Sequence, residues 1–194
     1  DVYKRQAPGG GAQTGQSGNG YARILLPEST AFSAGTQTGT VTIGGVVKAA
    51  NLQTASTDFA IKIGQTVASD TSTLGANTVL NNTGGFFMGA AANAHNLSVT
   101  GSFTTNATGT AKLNGSVTTT TTQTYSGAVE LIGDTTFTTT NSAVTFSSTV
   151  NGTTANTESI TVAAGSGNTT FTGAVGGTTS LKNCLLYTSD AADE

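Results

Sequence analysis

The chain has 194 residues, a formal net charge of −3, and 9% charged side chains against 36% hydrophobic ones. Charge this sparse leaves no basic footprint for nucleic acid and none for an anionic membrane surface. A single cysteine excludes a disulfide framework, and no apolar run reaches the roughly 18 residues that a membrane-spanning helix needs.

The two ends stand apart from the rest. Residues 1–6, Asp-Val-Tyr-Lys-Arg-Gln, resemble the translation of a transposon mosaic end used in sequencing libraries. Residues 184–194, opening with Cys184-Leu185-Leu186-Tyr187, resemble the same element read in reverse and running on into adapter. Appended sequence of this kind is excluded from fold reasoning. Without it the chain has no cysteine, five basic residues (Arg23, Lys48, Lys62, Lys112, Lys182) and six acidic ones (Glu28, Asp58, Asp70, Glu130, Asp134, Glu158), a formal charge of −1.

Residues 7–29 form a Gly-rich linker followed by a short strand. Residues 7–20 carry no large apolar side chain, and glycine supplies backbone freedom without packing. The glycines do not make a phosphate cradle, because the Gly-Lys-Ser/Thr ending is missing and no strand precedes them. Tyr21-Ala22-Arg23-Ile24-Leu25-Leu26 is expected to be a strand that Pro27 closes.

Residues 30–183 are expected to be a β-solenoid repeat region. Abundant Ser, Thr, Gly and Asn would suit a disordered tract, but the apolar residues are Val, Ile, Phe and Leu in alternation, and threonine itself favours strands. Val41 and Ile43 face one way and Thr40 and Thr42 the other. Phe59 to Ile63 alternate with Lys62 on the solvent face, and Val79, Phe87 and the Leu97/Val99 pair continue the pattern. Val129/Leu131, Val144/Phe146/Val150 and Ile160/Val162/Ala164 follow. Alternation of this kind makes half-buried strands. Between them lie Gly-Asp, Asn-Gly and Gly-Gly turns, and no helical period lasts beyond one turn.

A short pattern also recurs: Leu113-Asn114-Gly115-Ser116-Val117, Tyr125-Ser126-Gly127-Ala128-Val129, Phe146-Ser147-Ser148-Thr149-Val150 and Phe171-Thr172-Gly173-Ala174-Val175. The copies start 12, 21 and 25 residues apart. Steps of 20 or more suit a solenoid coil, whereas the 12-residue step is too short for one and marks two sides of a single coil. The fold class is therefore all-β, a fragment of a parallel right-handed β-helix (β-solenoid), with an array of small β-sandwich repeats as the alternative. About 7 coils of roughly 22 residues would make a rod on the order of 30 Å long.

The runs Gln123-Thr124-Tyr125-Ser126-Gly127-Ala128-Val129-Glu130-Leu131 and Phe171-Thr172-Gly173-Ala174-Val175-Gly176-Gly177-Thr178-Thr179 resemble the β-strand repeats of very large bacterial surface exoproteins, the filamentous-haemagglutinin-like adhesins and autotransporter passengers. The resemblance covers residues 97–183 well and 36–96 by texture alone. It implies secretion, a right-handed β-helix, and a stalk or adhesive shaft in the extracellular space or at the outer-membrane surface.

Candidate chemistry is thin. His95, the one histidine, has no nucleophile, orienting group or further ligand at a recognisable spacing, so a loop histidine is expected. Glycoside hydrolysis needs two carboxylates within about 5–10 Å. Glu130 and Asp134 lie four residues apart across a strand and turn, which puts them on different faces or corners, and Gly133-Asp134 is expected to be the turn. Met88 is expected to pack in the core or a turn. The threonine runs 118–122 and 138–140 are expected on the surface, with a regular hydroxyl ladder for ice or glycan as the other reading. The Asn-x-Ser/Thr sequons are attributed to composition. No catalytic, cofactor-binding or metal site is assigned. The functional expectation is a non-enzymatic structural or adhesive shaft whose partners are host-cell or matrix glycans or proteins, or further copies of itself. The alternative is a carbohydrate-active β-helix enzyme or a phage tailspike-like protein.

Overall fold

A computed structural model describes residues 39–188, apart from 55, 57, 67, 68 and 107. The linker at 7–20, the strand expected at 21–26 and residues 1–6 and 189–194 lie outside the described residues. Every described element is a β-strand, and every strand pairing is parallel; the one antiparallel contact is an isolated bridge, Ala90 to Asn93. That excludes the array of sandwiches, whose neighbouring strands would pair antiparallel.

Each coil has three sides. Coil one has β1 (Gly39–Ile43), β2 (Lys48–Ala49) and β3 (Gln53–Thr54), and coil two has β4 (Phe59–Ile63), β5 (Thr71–Leu74) and β6 (Thr78–Leu80). Coil three has β7 (Phe86–Met88), β8 (His95–Val99) and β9 (Phe103–Thr105). In coils four and five the first two sides fuse, giving β10 (Ala111–Thr119) with β11 (Gln123–Tyr125), then β12 (Val129–Thr139) with β13 (Val144–Phe146). Coil six separates them again as β14 (Val150–Gly152), β15 (Ser159–Gly165) and β16 (Thr169–Phe171), and β17 (Asn183–Thr188) begins another. The result is a β-solenoid of about 6 turns. Fewer coils form than a 22-residue repeat predicts, in part because corresponding corners often sit 25 residues apart, as in the bonds joining Asn77 to Ser102 and Asn141 to Ser166.

Stacking in register builds three ladders. The first runs through β1, β4, β7, Ala111–Leu113, Val129–Leu131 and β14. The second runs through β2, β5, β8, the latter halves of β10 and β12, β15 and β17. The third, a separate six-stranded sheet, runs from β3 to β16. The bend between the first two is uneven. Leu113 pairs with Leu131 but Gly115 pairs with Thr135, so Ile132–Asp134 cross the corner that Asn114 crosses alone. Gly115 sits at φ 116 with its α-carbon against the His95 carbonyl, leaving no room for a side chain.

The recurring motif resolves into places on these ladders. Tyr125, Phe146 and Phe171 stack in the third, while Val129, Val150 and Val175 stack in the first. Leu113 belongs to the first ladder, on Met88 and Leu131, so the 12-residue step does separate two sides of one coil. The inward residues of all three ladders form one core, with Leu113, Val117, Leu131, Phe146, Val150, Ile160 and Val162 wholly buried.

The alternation has the opposite phase at two places. Val79 and Phe87 are half-buried and face outward, and their neighbours Thr78, Leu80, Phe86 and Met88 fill the core. A three-residue strand with apolar side chains on both faces does not declare which is inside. Gly133-Asp134 is not a turn, since both residues lie within β12. β17 takes in Cys184 to Thr188, part of the stretch resembling adapter-encoded sequence, and Leu185, Leu186 and Tyr187 remain about half exposed on it.

Candidate functional site

The outward columns divide by chemistry. On the first ladder one column runs Thr42, Lys62, Phe87, Lys112, Glu130, Asn151. Lys62 Nζ lies 5.0 Å from the Phe87 ring centroid, a cation–π contact, and Lys112 Nζ meets Glu130 Oε2 at 2.8 Å. The other two ladders turn hydroxyls outward. Ser116, Thr136 and Thr161 align on the second, and Thr104, Thr124, Thr145 and Thr170 on the third. The threonine runs are only partly surface: Thr119 and Thr139 turn inward and are buried, each hydroxyl donating to a nearby backbone carbonyl.

Among the described residues the acidic side chains do not converge. Glu130 is held by Lys112. Asp134, at the corner between ladders, accepts the backbone N–H of Ser159 at 2.8 Å. Glu158 is buried and accepts the Thr153 hydroxyl at 2.7 Å and the Thr154 N–H at 3.2 Å. Among the described residues no group of three or more His, Cys, Asp or Glu side chains gathers in a metal-binding arrangement. A cavity of about 10 Å³ bounded by Leu80, Asn82, Phe86, Thr105 and Ala111 is the size of one water molecule, too small for a sugar.

His95 departs most from expectation. It is not in a loop: it opens β8 on the second ladder and is fully buried. Its Nε2 lies 2.8 Å from the Ser72 hydroxyl, which also accepts the backbone N–H of Val47 at 2.9 Å. Burial pulls the imidazole pKa below its ordinary value, and the negative charge of Asp70 offsets part of that shift. Serine, histidine and aspartate at one place are the parts of a nucleophile–base system, but the geometry differs. Nδ1 has no hydrogen-bond partner, so no carboxylate orients the ring, and Ser72 is as buried as His95, with no route for substrate. Sequence reasoning missed Ser72 because its partner lies 23 residues away. Only the coil period, once known, brings a polar residue one turn earlier against the histidine.

Searches against family models, curated proteins and solved structures return no match for this chain.

Proposed function

We propose that this chain is a non-enzymatic shaft segment of a large exported bacterial surface protein, acting in the extracellular space or at the outer-membrane surface. The observation supporting this reading most directly is the aromatic column along the interior. Phe103, Tyr125, Phe146 and Phe171 follow one another on successive coils with centroid spacings of 5.8, 5.2 and 4.8 Å. Each coil closes its core against the coils above and below, so the structure lengthens by repetition and carries its stability in local contacts. The Thr and Ser columns of the second and third ladders would supply a weak, repeated contact surface for host-cell or matrix glycans or proteins, or for another copy.

The proposal is tested by presenting the purified chain to cultured host cells and to a panel of polysaccharides. Expected are resistance to protease without added ligand and either surface retention or inert behaviour, with no release of reducing ends. Release of reducing ends that disappears in Glu130→Gln would overturn it in favour of a carbohydrate-active β-helix.

A further inference from the structure

The shaft reading makes no use of the Val47–Ser72–His95 contact, which holds its place in the fold whether or not that reading is right. One hydroxyl, Ser72 Oγ, ties together three successive coils, with Val47 in the first, Ser72 on β5 in the second and His95 on β8 in the third. The ring is clamped. The α-carbon of Gly64, at φ 64, lies so near it that a methyl group there would overlap the imidazole. Gly89 and Gly115 both lie close against the His95 backbone. Nδ1 is buried without a partner.

Neutral imidazole suits this pocket. If Ser72 donates to Nε2, the proton sits on Nδ1, and if Nε2 donates to Ser72, Nδ1 is a bare lone pair; either form leaves one uncharged atom unsatisfied. Protonation makes both nitrogens donors. Ser72, already accepting from Val47, can take one of them, and the Nδ1–H of a buried cation is left with no acceptor. The groups recorded against the ring are Gly64 after β4 and Ser72 on β5, with Gly89 after β7 and Gly115 on β10 against its backbone, and none of these titrates; among the described residues Asp70, just before β5, is the titratable group acting on it. We propose that His95 is a proton-operated lock on the first three coils, closing the stack when neutral and loosening it when charged.

The direction follows from linkage. His95 has a lower pKa in the closed coils than in opened chain, where it is about 6.5. The opened state therefore takes up the proton first as pH falls. The stabilisation is complete above about 6.5, declines below it, and levels off once the closed form is protonated too. Because a solenoid's stability is nearly a sum over neighbours, the loss is confined to the coils that touch the ring.

Hydrogen exchange on the full chain, corrected for intrinsic rates and followed from about pH 8 to about pH 5, tests the lock together with the NMR titration of the single histidine. The amides of Val47, Thr73 and Asn96, which bond across coils one to three, should lose protection by up to about thirtyfold, the ceiling for a group of unfolded pKa 6.5. Those of Val129, Val144 and Val150 should change by less than about twofold. His95→Gln should abolish the pH response. Should that variant fail to fold, Asp70→Asn is the second probe, and it should move the His95 midpoint further down. A midpoint at or above 6.5, equal loss in both halves of the chain, or an unchanged pH response in His95→Gln would each overturn the proposal.

Discussion

In coils four to six the core holds stacked aromatic rings, with Asn114, Thr119, Gln123, Thr135, Thr139 and Glu158 also buried there. Tyr125 and Phe146 stack at an interplanar angle of 11°, Phe146 and Phe171 at 5°, and Phe137 meets both Tyr125 and Phe146 edge-on. In coils one to three the same space holds Ile63, Leu74, Leu80, Met88, Phe86 and Phe103 beside His95, Ser72, Thr54, Thr78 and Asn82, all buried. One architecture thus tolerates two kinds of filling, and they hold by different rules. The aromatic half gains from apolar area and ring geometry, which are forgiving of small displacements. In the polar half, coils one to three, most buried polar groups, His95 Nδ1 and Thr105 Oγ1 apart, are held by a partner, so a lost bond strands a further donor or acceptor. Gln123 shows the second rule at work in coils four to six too. Its amide donates to the Val117 and Thr138 carbonyls and its oxygen accepts the Tyr125 hydroxyl, which burial keeps protonated by raising its pKa.

The strongest way to break the aromatic half is to place a charge in it. Val150 is wholly buried, between Val129 and Val175 on the first ladder. Val150→Asp should cost about 3–5 kcal/mol, the range for a buried charge without a partner. Denaturant melts should show an early transition, with exchange protection lost in coils five and six while coil two is unaffected. Unchanged melting would remove Val150 from the core.

The polar half should break by losing a hub. Asn82 accepts the Thr54 hydroxyl at 3.0 Å, donates to the Phe59 and Gly85 carbonyls at 3.0 and 2.8 Å, and its own N–H reaches Thr54. Asn82→Leu keeps the branched outline and strands those groups, at a cost of roughly 2–3 kcal/mol. A smaller loss than Val150→Asp, confined to coils one to three, is expected in the same melts. If Asn82→Leu were neutral, the two halves would not differ in how they are held.

These two sites also mark what the sequence revealed. Val150, like Ile160, Val162 and Phe146, could be placed inward because long alternation or the recurring motif fixed its phase, and the parallel solenoid followed from coil-sized steps between Tyr125, Phe146 and Phe171. Asn82 and His95 were illegible for a common reason. Their partners lie a whole coil away, at Thr54 and Ser72, and a polar residue between short strands looks like a loop until its neighbour above is known. Val79 and Phe87 escaped because three residues carry too little alternation to set a phase. Glu130 was separable from Asp134 on the sequence, but its true partner, Lys112, belongs to the preceding coil.

The smallest expected effect sharpens the comparison, because it should be the same in both halves. The charged column of the first ladder crosses the boundary between them, with Lys62 on Phe87 in coils two and three and Lys112 on Glu130 in coils four and five. The Lys112 and Glu130 side chains keep 34% and 30% of their surface in water, so solvent and salt screen the pair. Lys112→Ala should cost no more than about 0.5–1 kcal/mol, less at high ionic strength, and Lys62→Ala a similar amount. Paired melts at low and high salt measure both. Near-equal small losses would place the contrast between the halves in the interior, whereas a large loss at Lys62 alone would mean that the polar half leans on its outer face to hold coils that its core holds less firmly.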